Sequence, residues 1–203
     1  MTKIEIFMMM YSLLIGLAMA GLMSGIGELL RGREKPQWGV LVPLASAVLF
    51  TTLLGAFAEA YSYRNIGMSF SSMGLPAIAG VLYYLAAILT VPREQDGWND
   101  LDAYFLARKH LIFGSQLAAL TVLVFGVEVP RAVSLGRPIF SNGAYWFGNL
   151  AMIALLAVPI VTSRRAAIIA AMIGTLVMLC IIYVLDQPMA DTFRALLAFF
   201  SGG

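Results

Sequence analysis

The sequence is poor in the residues that carry most soluble chemistry. It holds one cysteine, Cys180, and one histidine, His110. A lone cysteine makes no intrachain disulfide, and Cys180 lies inside an apolar run, so it says nothing about redox compartment. A lone histidine rules out a multi-histidine zinc or haem site within one chain. No metal and no cofactor is expected. Charged residues make up 12%, and a net charge of +2 is too small to argue for nucleic acid as a partner. His-Glu-x-x-His, Gly-x-Ser-x-Gly and P-loop patterns are missing, so no catalytic residue is assigned. Little loop sequence is left for a separate soluble domain, and residues 1–203 read as one transmembrane domain.

What is present is apolar. Hydrophobic residues make up 61% and the mean hydropathy is +0.87, outside the range of soluble domains. Charges sit in short tracts between apolar runs, as expected when lipid is the solvent. Apolar length predicts an all-α, polytopic transmembrane helix bundle of about six spans, near 6–30, 38–60, 67–91, 111–127, 144–162 and 166–185. Lys3, an apolar run and Ala18-Met19-Ala20 imitate a signal peptide. That run continues through Leu30, too long for such a segment, so it is read as the first span.

Between the spans, Arg31-Gly-Arg-Glu-Lys-Pro36 forms a sharp stop. Trp38 opens the second span, and Glu59, Tyr61, Tyr63 and Arg64 close it as an interfacial band. Pro76 falls inside the third. Residues 93–110 are the longest polar stretch. Asn99 or Asp100 suits an N-cap there, with Asp102 near the positive helix end. Residues 100–110 are expected to form an interfacial helix, with Trp98, Leu101 and Phe105 against the membrane, running into the fourth span. Pro130, Gly136, Pro138 and Gly143 mark 128–143 as a loop or re-entrant turn. Met189 to Phe200 reads as a short amphipathic C-terminal tail.

Basic residues suggest an orientation. Arg31, Arg33, Lys35, Arg93, Arg108, Lys109, Arg164 and Arg165 lie on odd-numbered connections, eight in all. Lys3, Arg64, Arg131, Arg137 and Arg194, five in all, lie on the other side. The asymmetry favours cytoplasmic odd connections and periplasmic termini. Six spans permit an inverted repeat, but the halves share no convincing similarity.

Four groups of side chains are candidates for function. The first helix carries Ser12, Gly16, Ala20, Ser24 and Glu28 at strict i, i+4 spacing, beside Gly21-x-x-x-Gly25. With Thr51, Thr52, Gly55 and Glu59 of the second span, this stripe suits either close helix packing or a polar pathway. Intramembrane Gln116 and Asn149 need hydrogen-bonding partners and suit interhelical contacts or a headgroup. Trp98, Asp100, Asp102, Tyr104, Arg108 and His110 form the interfacial element; with Glu94 and Asp96 its carboxylates suit capping and pairing with Arg93, Arg108 and Lys109, since their spacing departs from an EF-hand loop. Met8, Met9 and Met10 point to different sides of a helix and suit lipid-facing packing over soft-metal binding.

The run Leu82-Tyr83-Tyr84-Leu85-Ala86-Ala87, then Pro92, then Trp98-x-Asp100-Leu101-Asp102-x-Tyr104 resembles a group of small bacterial inner-membrane proteins of similar size. The long glycine-rich first helix followed by a basic tract is also similar. The resemblance implies a small bacterial inner-membrane protein and supplies no activity. Asp96-Gly97 with Ala107-Arg108 imitates the Asp-Gly-x-x-Ala-Arg motif of CDP-alcohol phosphatidyltransferases, but its spacing is wrong and the later aspartates are missing.

Two functions fit these features best. One is a small oligomeric channel or transporter for an ion or solute. The other is a non-catalytic membrane subunit or scaffold that docks a partner. An intramembrane lipid-acting enzyme ranks below both, with Glu28, Glu59, Asp100 and His110 as its acid–base candidates. The expected partners are the lipid bilayer and either further copies of the chain or another membrane protein.

Overall fold

A computed structural model describes residues 3–32, 36–60, 70–92, 98–134, 136 and 143–185. All regular structure among them is helical. The order is α1 (Lys3–Arg31), α2 (Leu41–Ala60), α3 (Phe70–Thr90), α4 (Leu101–Thr121), a π-helical segment (Val122–Glu128), α5 (Val129–Ser134), α6 (Gly143–Val161) and α7 (Arg165–Leu185). Among the described residues, four helical stretches are long and apolar enough to cross a membrane: Met8–Arg31, Leu41–Ala58, Leu101–Glu128 and Arg165–Ile182. The apolar stretches Gly74–Thr90 and Trp146–Val161 are shorter.

Neighbouring helices trace a closed ring: α1 on α3, α3 on α4, α4 on α6, α6 on α7, α7 on α2 and α2 on α1. α2 also reaches inward to α3 and α4. Its buried positions include Leu41, Ala45, Val48, Thr52 and Ala56, a repeat of three and four that marks one helix face. The core is apolar, with Tyr11, Ile15, Leu49, Leu53, Tyr83, Phe105, Phe113 and Leu156 fully enclosed. Outside, Leu13, Phe57, Val81, Phe147, Val161 and Val177 are exposed. So much large apolar surface suits lipid as the surrounding solvent.

The first helix, singled out in the sequence for its stripe of small residues, is not the centre of the bundle. Only 22% of the spanning window of α1 is buried, against 56% for α2. α1 is peripheral. It turns Tyr11, Ile15, Ala18 and Leu22 into the core. At 3.6 residues per turn, the Ser12–Glu28 stripe falls on the opposite side. Gly16, Ala20, Ser24 and Glu28 are exposed and Ser12 is half-buried. The neighbouring glycine pair is the one used for close packing. A Cβ on Gly25 would lie 3.0 Å from Val91 Cβ, and one on Gly21 would lie 3.4 Å from Ile88. On the facing helix, a Cβ on Gly80 would lie 3.0 Å from Leu14 Cβ.

Two local expectations are corrected. Residues 101–110 run straight into the fourth span as expected, but they pack into the core and do not lie along the surface. They open a stretch of 28 residues, Leu101–Glu128, about 42 Å long at 1.5 Å per residue. Leu101 and Phe105 pack in the protein core instead of against the membrane, and only Trp98 of that trio is exposed. The polar contacts of Asp102 and Lys109 described below hold this end of α4 inside the bundle. Helix also continues past 127. The π-helical segment bonds Val129 N–H to Val124 C=O, and α5 extends to Ser134. Pro130 is compatible because it falls near the start of the new α-helical turn. Gly136, with φ of 63°, supplies the left-handed turn that follows. The expected C-terminal tail, the band from Tyr61 to Arg64, and Glu94 and Asp96 lie outside the described residues.

Candidate functional site

The strongest polar constellation sits where three connections meet at one end of the bundle. It begins with local helix chemistry. Asp100 is the N-cap of α4, extended at φ −126° and ψ 115°, and its carboxylate accepts the Asp102 N–H at 2.9 Å. This satisfies one of the orphan donors of the first helical turn. Gln37 N–H donates to Asn99 C=O at 2.8 Å, and Leu101 N–H donates to Gln37 C=O at 3.3 Å. These two bonds form a parallel β-bridge between Gln37 and Asp100 and fasten the first connection to the third.

Asp102 extends the joint. Its Oδ1 accepts the N–H of Leu41, the first residue of α2, at 2.9 Å across 61 residues of sequence. It therefore satisfies an orphan donor at the start of a different helix and places a negative charge at that helix's positive end. Its Oδ2 pairs with the guanidinium of Arg165, the first residue of α7. Asp102 is 7% exposed and the Arg165 side chain 56% exposed. Gly39 makes the approach possible: a Cβ there would overlap the Asp102 carboxylate.

Lys109, two turns further along α4, is 3% exposed. Its ammonium donates to the Thr162 carbonyl and lies 3.5 Å from Ser163 Oγ. Thr162 also turns back, its Oγ1 accepting the Arg164 N–H at 3.2 Å. On the third side, Tyr104 Oη donates to the Leu89 carbonyl at 2.7 Å, near the C-terminus of α3. Trp98 stacks edge-on against Tyr104 at 5.6 Å. First, third and fifth connections are thus tied together on one end of the bundle.

The sequence candidates divide accordingly. Asp100, Asp102, Tyr104 and Trp98 come together in this junction, while Arg108 and His110 are exposed on α4. The expected N-cap is found at Asp100. Sequence reasoning missed the Leu41 N–H and Arg165 as partners of Asp102 and missed Gly39, and it paired Lys109 with the carboxylates, whereas its ammonium donates to the Thr162 carbonyl. A buried lysine beside a Thr-Ser turn carries no fixed spacing that would reveal it. Compared with known protein families, with curated proteins and with solved structures, the chain finds no match.

The remaining candidates stay apart from the junction. Ser24 Oγ lies 3.4 Å from the carboxylate of Glu28, both on the outer face of α1. Thr52 is buried and donates to the Val48 carbonyl of its own helix at 2.8 Å. Glu59 lies near the end of α2, and its side chain is outside the described residues. Gln116 is 0% exposed, and neither end of its amide has a hydrogen-bond partner. Asn149 is half-buried on α6. Among the described residues, no group of three His, Cys, Asp or Glu side chains gathers to hold a metal ion. Chemically, the junction is a set of saturated polar contacts that fixes helix ends.

Proposed function

We propose that this chain is a six-span protein of the bacterial inner membrane that serves as a non-catalytic subunit. It docks a second copy or another membrane protein through the outer face of α1. The observation that carries this reading is the outward position of Ser12, Gly16, Ala20 and Ser24. A Cβ on Gly16 would meet nothing within 4 Å in the isolated chain. Small side chains gain little from lipid, but they let a second backbone approach closely. In the same reading the odd connections are cytoplasmic and both termini periplasmic.

A single cysteine at position 16 or 20, in a Cys180→Ser background, tests the docking face. Oxidative crosslinking in native membranes should capture a partner at both positions and none from buried position 22. A chain that stays monomeric and uncrosslinked at 16 and 20 would refute it.

A second reading has one observation in its favour. Ser24 and Glu28 form an exposed polar pair on the same face. Around an oligomer axis this face would line a pathway for an ion or solute. Glu28→Gln would then change flux in liposomes while leaving crosslinking intact.

A further inference from the structure

Along α4, Asp102, Lys109 and Gln116 recur at intervals of seven residues. Seven residues make two turns, so the three share one face at steps of about 10.5 Å. All three are buried, at 7%, 3% and 0% exposure, and the next position in the series, Leu123, is apolar and buried. The junction accounts for Asp102 and Lys109. It does not account for Gln116, about 21 Å beyond Asp102. Among the described residues, neither end of its amide has a hydrogen-bond partner. An amide left dry in a bundle interior forfeits the bonds that it makes with water in the unfolded chain.

Two other helices bring acceptors to a similar depth. α2 and α7 start from the same junction as α4, at Leu41 and Arg165, and leave it in the same direction. Thr52 lies eleven residues past Leu41 and Thr175 ten past Arg165, about 15–17 Å along their helices. The Gln116 side chain leans back toward the start of its own helix, which brings its amide closer to that level. Both threonines are buried. Each gives its proton to its own helix, to the Val48 carbonyl at 2.8 Å and the Ala171 carbonyl at 2.9 Å. Only oxygen lone pairs remain on them to face a neighbour. This polar level falls near the middle of a ~30 Å hydrocarbon core. It suits an occupant that both donates and accepts. A cation is opposed by the amide Nε2 group and by Lys109 two turns away on the same face, and an anion by three acceptor oxygens.

We propose that Gln116 holds internal water at this level, between α2, α4 and α7. Water accepts from the amide Nε2 and donates to Gln116 Oε1 and to the threonine oxygens. Beyond it the same face of α4 continues with Leu123 and Val127, both buried and apolar, so the water is confined. A polar level of this kind fixes the register of three helices at a depth where apolar side chains specify little. The inference is independent of the docking face of α1.

The test is solid-state NMR of the full chain in phosphatidylcholine and phosphatidylglycerol vesicles, reading the magnetisation that passes from water to side chains. The Gln116 Nε2 protons should receive it, while the Leu123 methyl groups should not. Gln116→Leu should abolish the water signal at the Thr52 and Thr175 hydroxyls and keep the helical content. The fold survives because an amide bonded to water makes the same bonds in the unfolded chain, so their loss changes stability little. No transfer to the Gln116 amide in the parent chain overturns the proposal. So does transfer that reaches Leu123 equally, or a full water signal at Thr175 in the Gln116→Leu chain.

Discussion

Replacing Asp102 should separate two contributions that the junction combines. Asp102→Ala removes the only acceptor shown for the Leu41 N–H, at 2.9 Å, in a residue that is 0% exposed. A buried donor left without a partner costs about 1–3 kcal/mol. The lost ion pair adds less. The Arg165 side chain is 56% exposed, so water screens it, and ~0–1 kcal/mol is the range for such pairs. The expected total is about 1–4 kcal/mol. Asp102→Asn keeps an oxygen for Leu41 and loses only the charge, so it should cost ~1 kcal/mol. Gly39 provides the cross-check. In the parent chain Gly39→Ala drives a methyl into a carboxylate held from two sides, an overpacking cost of about 1–3 kcal/mol. In the Asp102→Ala background that obstacle is gone, so Gly39→Ala should then add almost nothing. The assay is reversible unfolding in mixed detergent micelles, followed by far-ultraviolet circular dichroism. The reasoning fails if alanine and asparagine at 102 cost the same, or if the Gly39 penalty persists in the double variant.

Other substitutions address the packing. Gly25→Leu should destabilise by about 1–3 kcal/mol, because Val91 already stands 3.0 Å from where its Cβ would be. Gly16→Leu should leave the unfolding of the monomer unchanged and act only on assembly, as read by crosslinking at position 20. Gln116→Leu replaces an amide with two unpartnered buried ends by an apolar side chain of similar size. It should be neutral or stabilising by ~1 kcal/mol in the same micelle assay; a loss of that size would reveal a partner for the amide. Lys109→Met keeps most of the apolar stem but loses the bond to the Thr162 carbonyl. It should loosen the turn between α6 and α7, seen as faster amide exchange at Ser163 and Arg164.

Much of the helical layout was legible because apolar length in a membrane-type sequence has few solutions. The helices α1, α2, α3, α6 and α7 lie within a few residues of the expected spans. The cap at Asp100 followed from residue type and position. Which face of each helix points inward was not legible. Leucine, isoleucine and methionine are equally at home in a core and in lipid, so hydrophobicity does not separate the two. On α1 the conspicuous stripe of small residues faced outward, while Tyr11, Ile15, Ala18 and Leu22 faced in. The partners of Asp102 were hidden for a different reason. They lie 61 and 63 residues away and depend on the ring closing.

The two longest bonds of the junction also set a timetable. Synthesis runs from the N-terminus, so α2 and α4 meet while α7 is still unmade. Asp102 can seize the Leu41 N–H as soon as α4 is inserted. Its second oxygen and the Lys109 ammonium then wait for Arg165 and Thr162. Until the final helical hairpin arrives, two opposite charges at the start of α4 depend on water and lipid headgroups for company. The hairpin of α6 and α7 thus acts as the latch of the ring. A chain cut before it would carry an unmet demand that marks it as unfinished. Supplying residues 143–203 as a separate fragment should restore the protease resistance of a 1–142 fragment, and failure to do so would argue against the latch.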